Sequence, residues 1–277
     1  MKKIILFALI ISSAVTFAQS KEKIKGTKVV TIAPREVGKF ENLEIEDNLE
    51  IFLVKGDVNA LEIEADENLH EVIASDLNGG TLRLTTTKNV TSSKKLSVKV
   101  TYTEDLKMVI AKHESTINAL SDVELDNITF KTSDYTKVFL NIKSRLFTIF
   151  ASDKSKLELN VKSETAAVEL SKNANMKALI SSEYLKFDMY QKATATIEGD
   201  IMELKLRLDN NASFTGKNLT SKNAEITTEA YATGSILVTT LAKISASGKS
   251  ELQLFGDQKI EILKFADSAV LMKKPTK

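Results

Sequence analysis

Apolar residues recur at every second position along much of this chain. Val138, Leu140 and Ile142 are apolar while Asn141 and Lys143 between and beyond them are polar. Leu157, Leu159 and Val161 repeat the pattern around Glu158, Asn160 and Lys162, and Leu204, Leu206 and Leu208 repeat it around Lys205, Arg207 and Asp209. A period of two predicts strands with one buried face, because successive side chains on a strand point to opposite sides. A helix would space its apolar residues three and four apart, and these segments do not.

The alternation itself repeats. "SDYTKVFLNIKS" at 133–144 and "SDKSKLELNVKS" at 152–163 agree at seven of twelve positions, nineteen residues apart. A small residue followed by x–apolar marks each unit: Ser115, Thr136, Ser155, Ala174, Ala193, Ala212, Gly234, Ser250 and Ser268, spaced 21, 19, 19, 19, 19, 22, 16 and 18. One such unit cannot bury its apolar face alone, but stacked copies can. The expected fold is therefore all-β, a single-stranded parallel β-solenoid (right-handed β-helix) with about 19 residues per coil. The small residue shares parity with the inward positions, so it fills a corner too narrow for a large side chain. An antiparallel meander would want Asn-Gly or Asp-Gly turns, and neither dipeptide occurs between Asp105 and Lys274. In the N-terminal third, "LEIEDN" at 43–48 and "LEIEAD" at 61–66 lie eighteen apart, which reads as one more coil step. Gly79-Gly80 predicts a turn into the strand around Leu82 and Leu84.

The first residues read differently. Lys2 and Lys3 precede an apolar run from Ile4 to Phe17, and Thr16-x-Ala18 closes it with small residues. That is the plan of a secretory signal peptide, and the run falls short of the roughly 20 residues a spanning helix needs. Losing both lysines would take the formal charge from +1 to −1. The expected organisation is a signal peptide at 1–18, a lead-in at 19–39 and a solenoid domain at 40–274. With no cysteine, disulfides and thiolate metal sites are excluded. Near-balanced charge speaks against nucleic acid, and no later segment is apolar enough to predict membrane insertion of the mature chain.

Residues 40–84, "FENLEIEDNLEIFLVKGDVNALEIEADENLHEVIASDLNGGTLRL", resemble the opening of the bacterial family called putative auto-transporter adhesin, head GIN domain. The matching parts are Phe40-x-x-Leu43, Val54-Lys-Gly56-Asp, "ADENL" at 65–69 and Gly79-Gly80-x-Leu82. The resemblance extends through the repeats to Met272. It implies a solenoid body, secretion by a Bacteroidetes bacterium and an adhesin-like surface role, with no catalytic residues to transfer. Family corners often carry Ser-Gly, whereas here only "ASGKSE" at 246–251 does so clearly.

Candidate chemistry is sparse. Glu44, Glu46, Glu62 and Glu64 point outward on segments one coil apart, so Glu44 over Glu62 and Glu46 over Glu64 would form an acidic ladder. Such a ladder suits a hard cation or is relieved by lysines and by Arg83. His70 and His113 are the only histidines, and neither is expected to bind metal or catalyse; His113 reads as a solvated edge position, heading a polar column with Asp134, Asp153, Lys172, Gln191 and Asn210. A polysaccharide-degrading solenoid would cluster acidic and basic residues on successive coils, and Thr129/Lys131, Thr148/Phe150, Ala167/Glu169 and Lys186/Asp188 show no such cluster. Phe139, Phe150, Tyr190 and Tyr135 are candidates for a sugar-stacking patch. The reading is an exported, non-enzymatic solenoid, periplasmic or at the cell surface, needing no cofactor and binding a glycan or surface polymer. The alternative is a polysaccharide-degrading enzyme.

Overall fold

The computed structural model describes residues 21–275, so the signal-like segment 1–18 lies outside the described residues. The chain is a parallel β-solenoid of about nine turns with about 19 residues per turn. The register of neighbouring coils is direct. Lys137–Ala151 pairs in parallel with Lys156–Leu170, that strand with Asn175–Met189, and that one with Thr194–Leu208. Each partner lies nineteen residues on, as in Val138↔Leu157↔Met176↔Ala195.

Every turn of the solenoid has two corners. At the tight corner one residue adopts a left-handed backbone: Asp47, His113, Asp134, Asp153, Lys172, Gln191, Asn210, Ala230, Gly248 and Asp267 have φ between 55° and 75°. Two residues later the chain points inward, and the N–H of that residue donates to the carbonyl three back, as Ala174 to Ser171 (3.1 Å) and Ala212 to Asp209 (3.2 Å). Ser115, Thr136, Ser155, Ala174, Ala193, Ala212 and Ser250 occupy this inward place with no exposed surface. The far corner falls inside the long strands. Inward positions are even-numbered at Val138, Leu140 and Ile142, then odd-numbered at Phe147, Ile149 and Ala151, and the pairing omits Arg145 where the phase changes.

Two corner assignments are corrected. In the seventh unit the corner residue is Ala232, not Gly234, and in the last it is Ala269, not Ser268, because Ser213 pairs with Thr233 and Glu251 with Val270. The true spacings from Thr136 onward are then 19, 19, 19, 19, 20, 18 and 19. Ser268 is exposed. Gly234 instead lies inward beside Phe214, where a Cβ would come within 2.9 Å of Leu208. The large ring of one coil is matched by the missing side chain of the next.

The N-terminal end departs from simple winding. Asn42–Ile45 pairs in parallel with Thr81–Thr86 on one edge and with Met108–Ala111 on the other. Glu50–Lys55 likewise lies between Leu96–Tyr102 and Thr116–Ala119. The coil written first is therefore second in the stack. Ala60–Asp66 is no coil step: it runs antiparallel to both Leu96–Tyr102 and Val30–Glu36. Ile73–Asn78 forms a hairpin with Thr81–Thr86 through Gly79 and Gly80, both at positive φ. These antiparallel strands cap the head of the stack, burying Leu69, Val72 and Ile73. Asp66 pins the cap, its buried carboxylate accepting the backbone N–H groups of Lys28 (2.9 Å), Lys94 (3.0 Å) and Lys95 (3.0 Å).

Candidate functional site

The strands that follow the tight corners form one long side of the solenoid, and a shallow groove of about 550 Å³ runs across five of its coils, from Ala119 to Glu198. Its floor and walls come from two outward columns. One holds Phe139, Glu158, Lys177 and Thr196; the next holds Asn141, Asn160, Leu179 and Glu198. Alternation explains this: with Leu140, Leu159 and Ala178 turned inward, the residues on either side must face out. Phe139 is 39% and Leu179 48% exposed, so the groove offers apolar surface beside polar groups.

Of those polar groups Glu198 accepts from Asn218 Nδ2 (3.1 Å), and four others are uncommitted. Glu158 and Lys177 enter no ion pair among the described residues, and the Asn141 and Asn160 amides enter no side-chain hydrogen bond there; some other charges are matched across coils, as Lys143 with Glu124 (3.1 Å) and Arg207 with Glu229 (2.9 Å). Two stacked amides, a carboxylate, an ammonium and a hydroxyl, repeating every strand spacing of about 4.8 Å, can exchange hydrogen bonds with a ligand that itself repeats. Phe139 supplies a ring face.

The four glutamates singled out from the sequence do not form a ladder. Reversal of the chain after Lys55 removes Glu62 and Glu64 from the column of Glu44 and Glu46. Glu44 meets Lys112 (2.6 Å), Glu46 meets Arg83 (2.7 Å) and Lys112 (3.3 Å), Glu62 meets Lys99 (2.7 Å), and Glu64 meets Lys95 (3.7 Å). Burial pushes the Glu46 carboxyl up, but Arg83 and Lys112 together hold it below the usual range. The hydrogen bond to Glu44 raises Lys112. Among the described residues, no group of three or more His, Asp or Glu side chains has the geometry to hold a metal ion. His70 Nε2 lies 2.9 Å from Thr31 Oγ1, and His113 Nδ1 accepts the Asp47 N–H at 3.2 Å. His70 thus ties two elements within the head cap, and His113 ties two stacked coils at their tight corners.

The four aromatics do not meet. Phe139 lies in the groove, Phe150 lines a smaller cavity of about 310 Å³ on the opposite side, and Tyr135 and Tyr190 sit at tight corners. Tyr135 lies under the Lys154 ammonium, 4.7 Å from the ring centroid, and Tyr190 under the Arg207 guanidinium at 5.9 Å.

One charged cluster escaped the sequence reading. Glu169, Asp188 and Arg207 stack in one column, with Lys186 2.9 Å from Asp188 and Tyr190 beside them. It was missed because Arg207 lies one coil beyond the positions compared. A proton-abstracting base needs a pKa near the working pH. Here the Asp188 hydrogen bond raises Lys186, and burial first, then the Asp188 charge, raises Tyr190. Both groups are moved away from basic catalysis.

Comparison with known families gives the class. Residues 39–257 match the family model described as putative auto-transporter adhesin, head GIN domain, and the chain belongs to that family. Among solved structures it is similar to a putative adhesin from Parabacteroides merdae, with 17% identity, TM-score 0.65, and 91% of this chain and 99% of that one covered. A putative adhesin from Parabacteroides distasonis matches with 15% identity and TM-score 0.66 over 91% and 100% of the two chains. A protein described as a putative lipid binding protein from the same species matches with 12% identity and TM-score 0.64 over 92% and 98%. At these identities the likeness shows the shared fold. No curated protein matches the chain.

Proposed function

We propose that this protein is an exported, non-enzymatic binding protein of the cell envelope or surface, whose lateral groove takes an extended glycan. The observation that carries the reading is the Asn141–Asn160 amide pair, which has no side-chain partner among the described residues, stacked beside Glu158, Lys177 and exposed Phe139 in one groove. Sugar hydroxyls exchange hydrogen bonds with amides and carboxylates, and a ring face packs on the C–H side of a pyranose. A polymer can then engage successive coils at a regular spacing, with the Asn141–Asn160 step offering the same contact twice. Family membership supports a binding role, and the raised Lys186 and Tyr190 count against either serving as the proton-abstracting base of a lyase at the remaining charged cluster.

The test is a glycan-binding screen with the purified chain, followed by titration of Phe139→Ala and Asn160→Ala. Each variant should bind at least about tenfold more weakly, a loss of roughly 1.4 kcal/mol, with an unchanged melting temperature because both side chains face outward. Product released from any screened polysaccharide would defeat the non-enzymatic reading. Protease shaving of cells carrying a tagged copy tests location: loss of the tag from intact cells supports surface exposure, and loss only on lysis places the protein inside the outer barrier.

A further inference from the structure

The two ends of the solenoid are finished differently. At the head, antiparallel strands and the turn Glu67–Leu69 close the interior, and Leu69, Val72 and Ile73 are buried. The head edge is also blunted: Pro34, without an N–H, lies in the edge strand Val30–Glu36. At the tail nothing among the described residues closes the interior. Ile260 lies under Ala242, Ile262 under Ile244 and Phe265 under Ala246. Ala242 and Ile244 are fully buried, whereas Ile260, Ile262 and Phe265 are 37%, 48% and 48% exposed. Leu263, at a register shift beside them, is 60% exposed. Together these side chains present on the order of 400 Å² of apolar surface, the scale at which a patch marks an interaction site.

We infer that the tail coil is a self-association surface, at which two copies of this chain meet tail to tail. Lys259–Phe265 and Val270–Lys274 each pair on one side only, leaving two unpaired edges on either side of an open apolar interior. A partner must bring two edges at the same separation with apolar side chains between them. The described part of this molecule offers one such surface, the tail itself, since the head is closed and carries Pro34. A two-fold axis across the solenoid axis would join the edges antiparallel and continue both sheets from copy to copy. Lys259, Glu261 and Lys264 lie beside the outward positions Leu241, Lys243 and Ser245, and Lys259 is paired with Glu261 at 2.8 Å; Lys273 takes the inward place under Leu254, but its ammonium is drawn aside to the Gly256 carbonyl and to Gln258 Oε1 (2.8 Å). The apolar patch is about half of the roughly 800 Å² per partner buried in a standard interface; edge backbone and the polar rim contribute the rest.

The experiment is sedimentation velocity of the full mature chain from 1 to 100 μM, with hydrogen exchange measured at both concentrations. The expected result is a concentration-dependent dimer, with backbone amides of 259–265 and 270–274 at least about tenfold more protected at the higher concentration. Phe265→Glu and Ile262→Lys should be monomeric throughout with an unchanged circular dichroism spectrum. The exchange result on the unaltered chain decides the matter if either variant unfolds. A monomer at all concentrations overturns the inference. So does a dimer that leaves tail exchange unchanged, or a monomeric tail that becomes protected only when phospholipid vesicles are added.

Discussion

Asp47 shows how much a single corner residue carries. Its backbone is left-handed, and its carboxylate accepts from Lys21 Nζ (2.5 Å), Thr85 Oγ1 (2.6 Å), and the Thr86 N–H and hydroxyl (2.8 and 2.9 Å). Burial pushes this carboxyl up, but those donors outweigh it and the pKa falls to about 2. A folded-state pKa below the unfolded value means the stabilisation is fully present above about pH 4 and is lost as the pH falls toward 2. Asp47→Asn keeps the left-handed turn, which asparagine tolerates. It should cost about 2 kcal/mol at pH 7 in urea denaturation, and the difference from the parent chain should vanish near pH 2. Gly199 is a second such point: at φ 117° a Cβ would sit 2.1 Å from the Ile180 carbonyl oxygen. Gly199→Ala should therefore cost at least about 1–3 kcal/mol by the same assay. The polar column of His113, Asp134, Asp153, Lys172, Gln191 and Asn210 was legible as an edge. Its cause, a left-handed backbone in every coil, was not, because lysine and glutamine do not advertise that conformation.

The coil is the element that the sequence declares best. Inward alternation and the nineteen-residue step correspond to real register wherever the coil length is constant, from Thr136 to Ala212. They mislead at Gly234, because the strand Ser213–Thr228 takes up one extra residue where pairing shifts between Thr196 and Glu198, and because the next inward place after Ala232 is itself a small residue followed by x–apolar. A corner motif counted by type then lands two residues late. What the corner demands is small volume; a hydroxyl is optional. Ser155 Oγ donates to the Ser152 carbonyl (2.9 Å), while Ala174 and Ala193 do without. Ser155→Ala should thus cost about 1 kcal/mol. Ala193→Leu, which must fit a large side chain into a place with no exposed surface, should cost about 1–3 kcal/mol or more, read from the shift in denaturation midpoint. The groove was only half legible. Its outward columns follow from alternation, but which of them are left uncommitted depends on cross-coil partners that a linear reading does not rank.

At the scale of the molecule, stability should be graded along the stack. Solenoids are held by contacts between neighbouring coils, and the head carries an added cap while the tail has one neighbour. Hydrogen exchange at 1 μM should find the strands of 156–208 most protected and those of 259–274 least, by a factor of about 100 or more. Uniform protection would argue against the graded picture. The cap itself was not legible. "LEIEDN" and "LEIEAD" look alike because any half-buried strand looks so, and direction is set by the turn at 56–59, which alternation does not report. The matching lysines, Lys99 and Lys95, become partners of Glu62 and Glu64 only once that reversal is known.

The inverted order of the first two coils bears on how the chain assembles. From residue 127 onward, each new strand meets a finished edge as soon as it is made. The segment 42–55 has no such template: both its neighbours, ending at residues 102 and 119, come later in the chain. During synthesis it must wait with two bare edges until that stretch arrives. A chain halted before residue 119 would lack one or both partners and be prone to pair with its own copies. The remainder can then add coil by coil in the order in which it is written.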